Sequence, residues 1–370
     1  MSNKRVAVIG TGFMGLAHID ALRRLPDIDL VALCDASQPH LHARQLKIPH
    51  AFTDYKEMIR SLRPDAVHIT SPNYLHFEMA LFAIRKKVHV LCEKPFTLTV
   101  REAEQLALEA NQNQVSGSIN YHNRFYPMTR QMKAMVDTGQ VGDLISVTGS
   151  YRQDWLLYPT DFNWRILSKF SGSTRIVGDI GSHWLDLAQY VTGQKIVAVM
   201  ADFHTVYPRR ARIDESGNTD QIEVDTEDMA AFLCRFENGA LGSCFVSAMV
   251  AGKKNQTQLL IAGKDGSMEW DTEKNLNDLW LGFRSQPNQI LTKDPNLLAP
   301  EAGSLSGYPG GHVEGYPDAF VNHFRHFYQT LDRPDLPVEY CSFDQGVREM
   351  KLIDAIHASS RQGKWIEVPV

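Results

Sequence analysis

The amino-acid sequence predicts an α/β protein in two parts: a doubly wound parallel sheet, then an α+β domain on a largely antiparallel sheet. Three observations carry this. Apolar runs of strand length alternate with segments of 3.6-residue periodicity through the first third, the signature of repeated βαβ units. A glycine-rich turn joins the first run to the first helix. Beyond residue 140, extended segments succeed one another with tight turns between them.

The alternation begins at once. "RVAVIG" is followed by a helical stretch over 13–25, then "LVALCD", a second helix, "AVHITSP", a third, and "VHVLCEKP". Thr99 with Glu102 forms a capping box that opens the helix "TVREAEQLALEANQ", and a last strand follows near "VSGSIN". The first domain is therefore placed at 1–123. With 370 residues the chain exceeds the roughly 250–300 at which a single core stops growing, so 124–370 forms a second domain. There "PMTRQMKAMVDTG" reads as a helix begun by Pro127 and stopped at Gly139. The segments "DLISVTGSYRQ", "KIVAVMADFHTV", "DMAAFLCRFENGALGSCFVSAMV" and "TQLLIAG" read as strands, with Asn238-Gly239 as a hairpin turn. Residues 301–317, rich in glycine and proline, read as a long loop. Phe320, Phe324, Phe327, Tyr328 and Leu331 recur at helical spacing and are assigned to core. A last helix, about 344–361, is expected to pack back on the first domain.

Composition narrows the function. Hydrophobic content of 43%, charged content of 22% and a net charge of −5 describe a globular chain without the basic excess of a nucleic-acid binder. "MSNKRVAVIG" enters a strand-like run without a signal segment, and no apolar stretch of about 18 residues occurs. Neither nucleic acid nor membrane is expected as a partner, and the expected location is cytoplasmic. The five cysteines are scattered, without a C-x-x-C pair, and are expected to be buried.

The glycine turn points to a cofactor. Gly10-Thr11-Gly12-Phe13-Met14-Gly15 is a G-x-G-x-x-G between strand and helix, and Asp35 ends the second strand. Glycines allow the tight turn and a close backbone approach, while the helix N-terminus turns its free N–H groups toward a pyrophosphate. Asp35 would accept hydrogen bonds from the ribose. Its charge would repel a 2′-phosphate, and no arginine follows within "ASQPHLH", so NAD is expected rather than NADP. Lys94 follows the C-terminal end of a parallel strand, the edge where ligands bind such sheets.

"GDIGSHWLDLAQYVTG", residues 178–193, sets Asp179, His183 and Asp186 among apolar residues. At i and i+4, Asp179 and His183 share a helix face. Three arrangements fit: a helix N-cap beside a core histidine, a metal pair, or a carboxylate orienting a proton-accepting imidazole. The metal reading lacks suitable further ligands. Asp186 could simply anchor the helix.

Five motifs in order carry a resemblance: Gly10 to Gly15; Ser71-Pro72-Asn73 with His76; Glu93-Lys94-Pro95; Asn123-Arg124-Phe125 with Pro127; and Gly178-Asp179 with His183 and Asp186. Together they resemble the glucose-fructose oxidoreductase and inositol dehydrogenase (Gfo/Idh/MocA) family, over nearly the whole chain. The resemblance implies a Rossmann domain, then an α+β domain whose open sheet makes the subunit interface of a homodimer or homotetramer, with the active site between the domains. It implies that Lys94, Asp179 and His183 are catalytic, that the Lys94–Pro95 bond is cis, and that Ser71, Asn73, His76, Glu93 and Asn123 join the glycine turn, Phe13, Met14 and Asp35 in holding NAD.

Oxidising a secondary alcohol requires removal of the hydroxyl proton, which suits histidine near neutral pH. In the first turn the helix N-terminus disfavours the imidazolium and helps keep the base free. His183 is thus the expected general base, oriented by Asp179, with Lys94 on the oxygen that becomes a carbonyl. "YRQDWLLYPTDFNWR", residues 151–165, mixes aromatic faces with donors and acceptors, which suits a sugar or cyclitol. Arg152, Asp154, Trp164, Arg165 and His312 are candidate substrate contacts beside Lys94, Asp179 and His183. The expected activity interconverts a ring hydroxyl and a ketone on a sugar, glycoside, anhydrosugar or inositol. Two alternatives share the scaffold: a glycosidase that oxidises its sugar transiently, and a sensor that binds NAD and sugar without turnover. A sensor has no use for a proton acceptor.

Overall fold

The computed structural model describes residues 3–213, 217 and 219–369. Contacts divide the chain into two compact units, Met1–His122 with Tyr316–Met350, and Asn123–Gly315 with Lys351–Val370.

The first unit is built on a seven-stranded sheet. Its order is 341–342, 117–119, 89–92, 66–69, 4–9, 28–34, 50–52, all parallel except the short Cys341–Ser342 strand. Order reverses on either side of Lys4–Ile9, so the crevice between the ends of Lys4–Ile9 and Ala66–Ile69 is the topological switch point. The run Val6–Ile9 is buried throughout, as a strand covered on both faces must be. Thr99 caps the helix Val100–Asn113, and Glu102 returns the bond to complete the capping box.

The helix Tyr316–Asp332, placed by sequence reasoning in the second domain, clusters with the first unit. The reason is its buried face. Phe320, Phe324, Phe327 and Tyr328 are buried, with Leu331 half-buried, and Tyr328 and His323 reach polar groups of the parallel strands, His68 and Ser118. At the start of the last helix, Phe343–Gln362, the Phe343 ring lies 4.4 Å from that of Phe96, and a Cβ on Gly346 would lie 2.1 Å from Ile119 Cδ1.

The second unit holds a nine-stranded sheet in the order 289–292, 278–282, 267–271, 256–263, 144–152, 241–247, 229–236, 196–204, 366–367. Leu144–Arg152 and Leu241–Ser247 pair in parallel; every other neighbouring pair is antiparallel. Asn238-Gly239 turns the hairpin between Met229–Phe236 and Leu241–Ser247, with Gly239 at φ +89°. The helix Ser182–Thr192 lies against the sheet at Gly149, where a Cβ would stand 2.3 Å from Trp184 Nε1; only glycine lets the indole in. The long loop expected over 301–317 is shorter, because the helix Pro300–Gly303 takes its start and the helix Tyr316–Asp332 its end; Lys293 and Glu314 form a buried ion pair that anchors what lies between. All five cysteines are buried and unpaired with one another. Among the described residues, no helix is long and apolar enough to cross a membrane.

Candidate active site

In the first unit the glycine turn has the shape its spacing implies. Gly10 takes φ +99°, and a Cβ there would lie 2.9 Å from the Ser71 amide nitrogen. Gly12 is different, since nothing stands within 4 Å of a Cβ built on it. Its missing side chain leaves the turn open to an approach from outside the fold. The helix Phe13–Arg23 begins at Gly12 without a side-chain cap, Phe13 is 77% exposed, and the buried Ser71 hydroxyl has no hydrogen-bond partner among the described residues. An open cradle, uncapped helical N–H groups and an orphaned hydroxyl are what a dinucleotide diphosphate would fill.

Asp35 is braced on both carboxylate oxygens. Its Oδ2 accepts from the Thr11 amide at 2.6 Å and the Thr11 hydroxyl at 2.7 Å, and its Oδ1 accepts from the Ser37 amide at 2.8 Å. Burial would raise this carboxyl, but those donors and the nearby His42 outweigh it and hold the group below its usual range. His42, whose Nδ1 lies 2.7 Å from Thr11 Oγ1, escaped sequence reasoning; the signal was a histidine one turn into the helix after Asp35.

Three residues expected along the cofactor are engaged inside the fold. His76 is fully buried with Nδ1 at 2.9 Å from the Pro95 carbonyl and Nε2 at 2.9 Å from the Ser71 carbonyl, so it joins two loops. Glu93 Oε1 accepts from Asn120 at 2.5 Å and meets His18 Nε2 at 2.9 Å. Burial opposes that charge, yet His18, Lys94 and Asn120 overcome it and set the carboxyl at about 2. Asn73 is buried in the short turn Asn73–Leu75. The chain continues from Glu93: His18 Nδ1 lies 2.9 Å from His68 Nδ1, and His68 Nε2 lies 2.8 Å from the Tyr328 hydroxyl. Half-buried Lys94 rises from this base, its bond to Pro95 cis. Nearby His122 is pushed down to about 3, by burial first, with Glu93 opposing and the Lys94 ammonium assisting.

In the second unit the segment bearing Asp179 and His183 is helical from Ile176. Val177–Gly181 forms a π-helical turn that runs directly into Ser182–Thr192. Asp179 is therefore inside the helix rather than its N-cap, and its amide donates to the Arg175 carbonyl at 2.7 Å. Such wide turns often mark functional sites. His183 is 4% exposed, with its ring 6.0 Å from that of Tyr151. Burial, and then the Asp179 charge, push the Tyr151 phenol well up.

Candidate contacts gather unevenly around this turn. Arg165 Nε stands 3.8 Å from Asp179 Oδ1, and its guanidinium lies 4.4 Å over the Trp164 ring. Trp155 and Trp164 are half-buried, so neither is core. Arg152 is half-buried at the end of its strand, and its buried Nε has no hydrogen bond among the described residues. Asp154 instead accepts from Lys254 Nζ at 2.7 Å and the Gly252 amide at 3.0 Å, and Lys254 keeps its carboxyl low; it secures a loop. His312 is exposed on the loop 304–315, 6.5 Å centroid to centroid from Tyr308. Asn123 is buried, its carbonyl accepting from Thr129 at 2.6 Å, and its side-chain Nδ2 has no partner among the described residues. Asp186 anchors the helix: Arg124 donates Nε to Oδ2 at 2.9 Å and Nη2 to Oδ1 at 2.6 Å, both side chains buried.

Known proteins resemble this chain along its length. Residues 4–121 match the oxidoreductase family with an NAD-binding Rossmann fold, and 129–269 match the GFO/IDH/MocA C-terminal domain. The chain is 27% identical to levoglucosan dehydrogenase of Pseudarthrobacter phenanthrenivorans, over 100% of this chain and 99% of that protein. An oxidoreductase domain protein from Kribbella flavida superposes with a TM-score of 0.92 at 28% identity, covering all of both chains. A levoglucosan dehydrogenase in complex with NADH and L-sorbose superposes at 0.91 and 26% identity, with both chains again fully covered. An NAD-binding Rossmann domain followed by a mainly antiparallel C-terminal domain, matched along the chain, makes this protein a member of the Gfo/Idh/MocA family of oxidoreductases.

Proposed function

We propose that this protein interconverts a ring secondary hydroxyl and a ketone on a sugar, glycoside, anhydrosugar or inositol, with NAD as the redox partner. The observation that carries the reading is the gathering of Asp179, His183, Arg165, Trp164 and Tyr151 within the second unit. An aromatic face, a guanidinium and an acid–imidazole pair are what a polyhydroxylated ring needs for stacking, hydroxyl recognition and proton removal.

Gly10, Gly12, Phe13, Met14, Gly15, Asp35, Ser71, Asn73 and Asn123 hold the cofactor, with His76 and Glu93 fixing the loops. When bound, NAD+ supplies the acceptor for the carbinol hydrogen and its two electrons. His183 takes the hydroxyl proton as general base. Asp179 orients the imidazole, and the Lys94 ammonium hydrogen-bonds the oxygen as it becomes a carbonyl. Trp164 stacks on the ring, while Arg152, Arg165 and His312 meet its hydroxyls. The subunits associate as a homodimer or homotetramer through the open sheet, whose Ile145, Met200, Leu233, Leu241 and Phe245 are exposed apolar residues. Mass measured by light scattering tests the association.

The activity is tested with inositols, aldopyranoses, glycosides and anhydrosugars scored for NADH formation. Net NADH from at least one ring polyol is expected. Cleavage of aryl glycosides without NADH accumulation would replace the dehydrogenase with a glycosidase, and binding without turnover would replace it with a sensor.

A further inference from the structure

Four consecutive residues, Asp225-Thr226-Glu227-Asp228, lie just before the strand Met229–Phe236 and outside every motif discussed so far. Each is bonded to the segments that carry the candidate substrate and proton-transfer residues. Asp225 accepts from the Ser168 amide at 2.8 Å and the Ser168 hydroxyl at 2.5 Å, and Thr226 donates its hydroxyl to the Ile166 carbonyl at 2.9 Å. Glu227 accepts the Arg175 amide on both carboxylate oxygens at 3.0 Å and the Val177 amide at 3.0 Å. These are N–H groups at the start of the π-turn, where a helix has no partners of its own.

Asp228 joins the two segments. Its Oδ1 pairs with both Arg175 and Arg210, and its Oδ2 accepts from the Val206 amide at 2.7 Å. Arg210 in turn donates Nη1 to the carbonyls of Tyr158 at 2.8 Å and Asp161 at 3.1 Å, while Arg175 donates Nε to the Glu227 carbonyl at 2.9 Å. Arg175, Arg210 and Asp228 are almost entirely buried. One carboxylate between two guanidiniums thus ties the loop leading to Trp164 and Arg165 to the turn bearing Asp179 and His183. A buried charge shared in this way is costly to disturb, so the two segments are fixed to a common point.

We infer that Glu227 and Asp228 are positioning residues for the reaction: Glu227 sets the turn that presents Asp179 and His183, and Asp228 locks that turn to the substrate-facing 158–165 loop. Neither touches substrate; both act through the segments they hold. The inference rests on the dehydrogenase reading for its effect on turnover, and on geometry alone for the coupling of the segments.

The test uses the full chain with NAD+ bound. Glu227→Gln keeps size but loses one acceptor oxygen, so kcat should fall about tenfold or more with KM little changed. Arg210→Lys cannot span both loop carbonyls, so KM should rise about fivefold with the smaller effect on kcat. Asp228→Asn should do both, and should speed amide hydrogen exchange in 158–167 and 174–184 together. NADH affinity, read by fluorescence, should stay within about twofold in all three, since the loss is orientation rather than cofactor binding. If Asp228→Asn fails to fold, the single-segment variants decide, each loosening only its own segment. Unchanged kcat in Glu227→Gln, or exchange in Asp228→Asn that rises in one segment alone, would overturn the inference. Failure of the dehydrogenase reading looks different: no polyol would yield NADH, or His183→Asn would turn over normally, while the exchange experiment would still decide the coupling.

Discussion

The two units hold the turns that bear their candidate site residues by different chemistry. Beneath Lys94 the first unit places one carboxylate, Glu93, among neutral donors and imidazoles: His18, Asn120, His68 and, one step further, Tyr328. Beneath Asp179 and His183 the second unit uses full charges, with Asp228 between Arg175 and Arg210 and Asp186 clasped by Arg124. Burial keeps His68 and His122 neutral well below the pH at which a free imidazole charges, so acid works against the first base, whereas guanidinium–carboxylate pairs persist until strong acid. Mild acid thus strains the first base and leaves the second.

The largest expected effects are on turnover. His183→Ala should lower kcat about a hundred- to ten-thousandfold while NADH still binds, as loss of a general base does. Lys94→Ala should act in the same direction from the other unit. Steady-state rates alongside a cofactor titration check both, and normal turnover in either would remove that residue from the reaction.

Next in size is the cost of breaking a charge pair. Arg124→Ala removes the guanidinium that donates to both oxygens of the buried Asp186, which should cost about 3–5 kcal/mol. Arg124→Ala with Asp186→Ala should cost less than that, because no charge is stranded. Urea unfolding of the two variants decides it; equal losses would mean the pair acts only by packing.

Acid should separate the units. Burial holds His122 at about 3, and His68 and His76 are likewise depressed from an ordinary 6.5. Below pH 6.5 the unfolded chain takes up protons that these folded imidazoles refuse, so stability in the first unit falls from there toward pH 3. Glu93, depressed from 4.5 to about 2, adds stability that is present above pH 4.5 and lost as pH falls through 2. Asp228 is depressed from 3.8, so its contribution in the second unit is lost only below that value. Hydrogen exchange followed from pH 7 to pH 4 should show peptides of the first unit opening before those around Asp228, and simultaneous opening would erase the contrast.

The smallest effect concerns cofactor choice. Asp35→Ser should reduce preference for NAD over NADP by about ten- to a hundredfold, the worth of hydrogen bonds to a charged acceptor. An unaltered ratio of kcat/KM would hand the ribose to another group, His42 being next to it.

What could be read in the sequence was what local chemistry decides. The glycine turn, the Thr99 capping box, the Asn238-Gly239 hairpin and the strand alternation each depend on neighbours a few residues away. The helix Tyr316–Asp332 was misplaced because its partners, His68 and Ser118, lie some two hundred residues earlier, and helical periodicity reveals a buried face without naming what covers it. The π-turn at Asp179 was missed for a similar reason, since its first amides are satisfied by Glu227, fifty residues downstream. In the helix Ser182–Thr192, Asp186 does anchor the helix, but its partner Arg124 was visible only as part of a motif.

The pair of Lys293 and Glu314 bears on how such an enzyme could be altered. Beyond their mutual bond, Glu314 accepts the Gly307 amide at 2.7 Å and Lys293 donates to the Tyr308 carbonyl at 3.3 Å, so the pair moors the middle of a glycine-rich surface stretch to the body of the second unit. Directed libraries there should spare 307 and 308 and vary 311–313, which lie beyond those moorings.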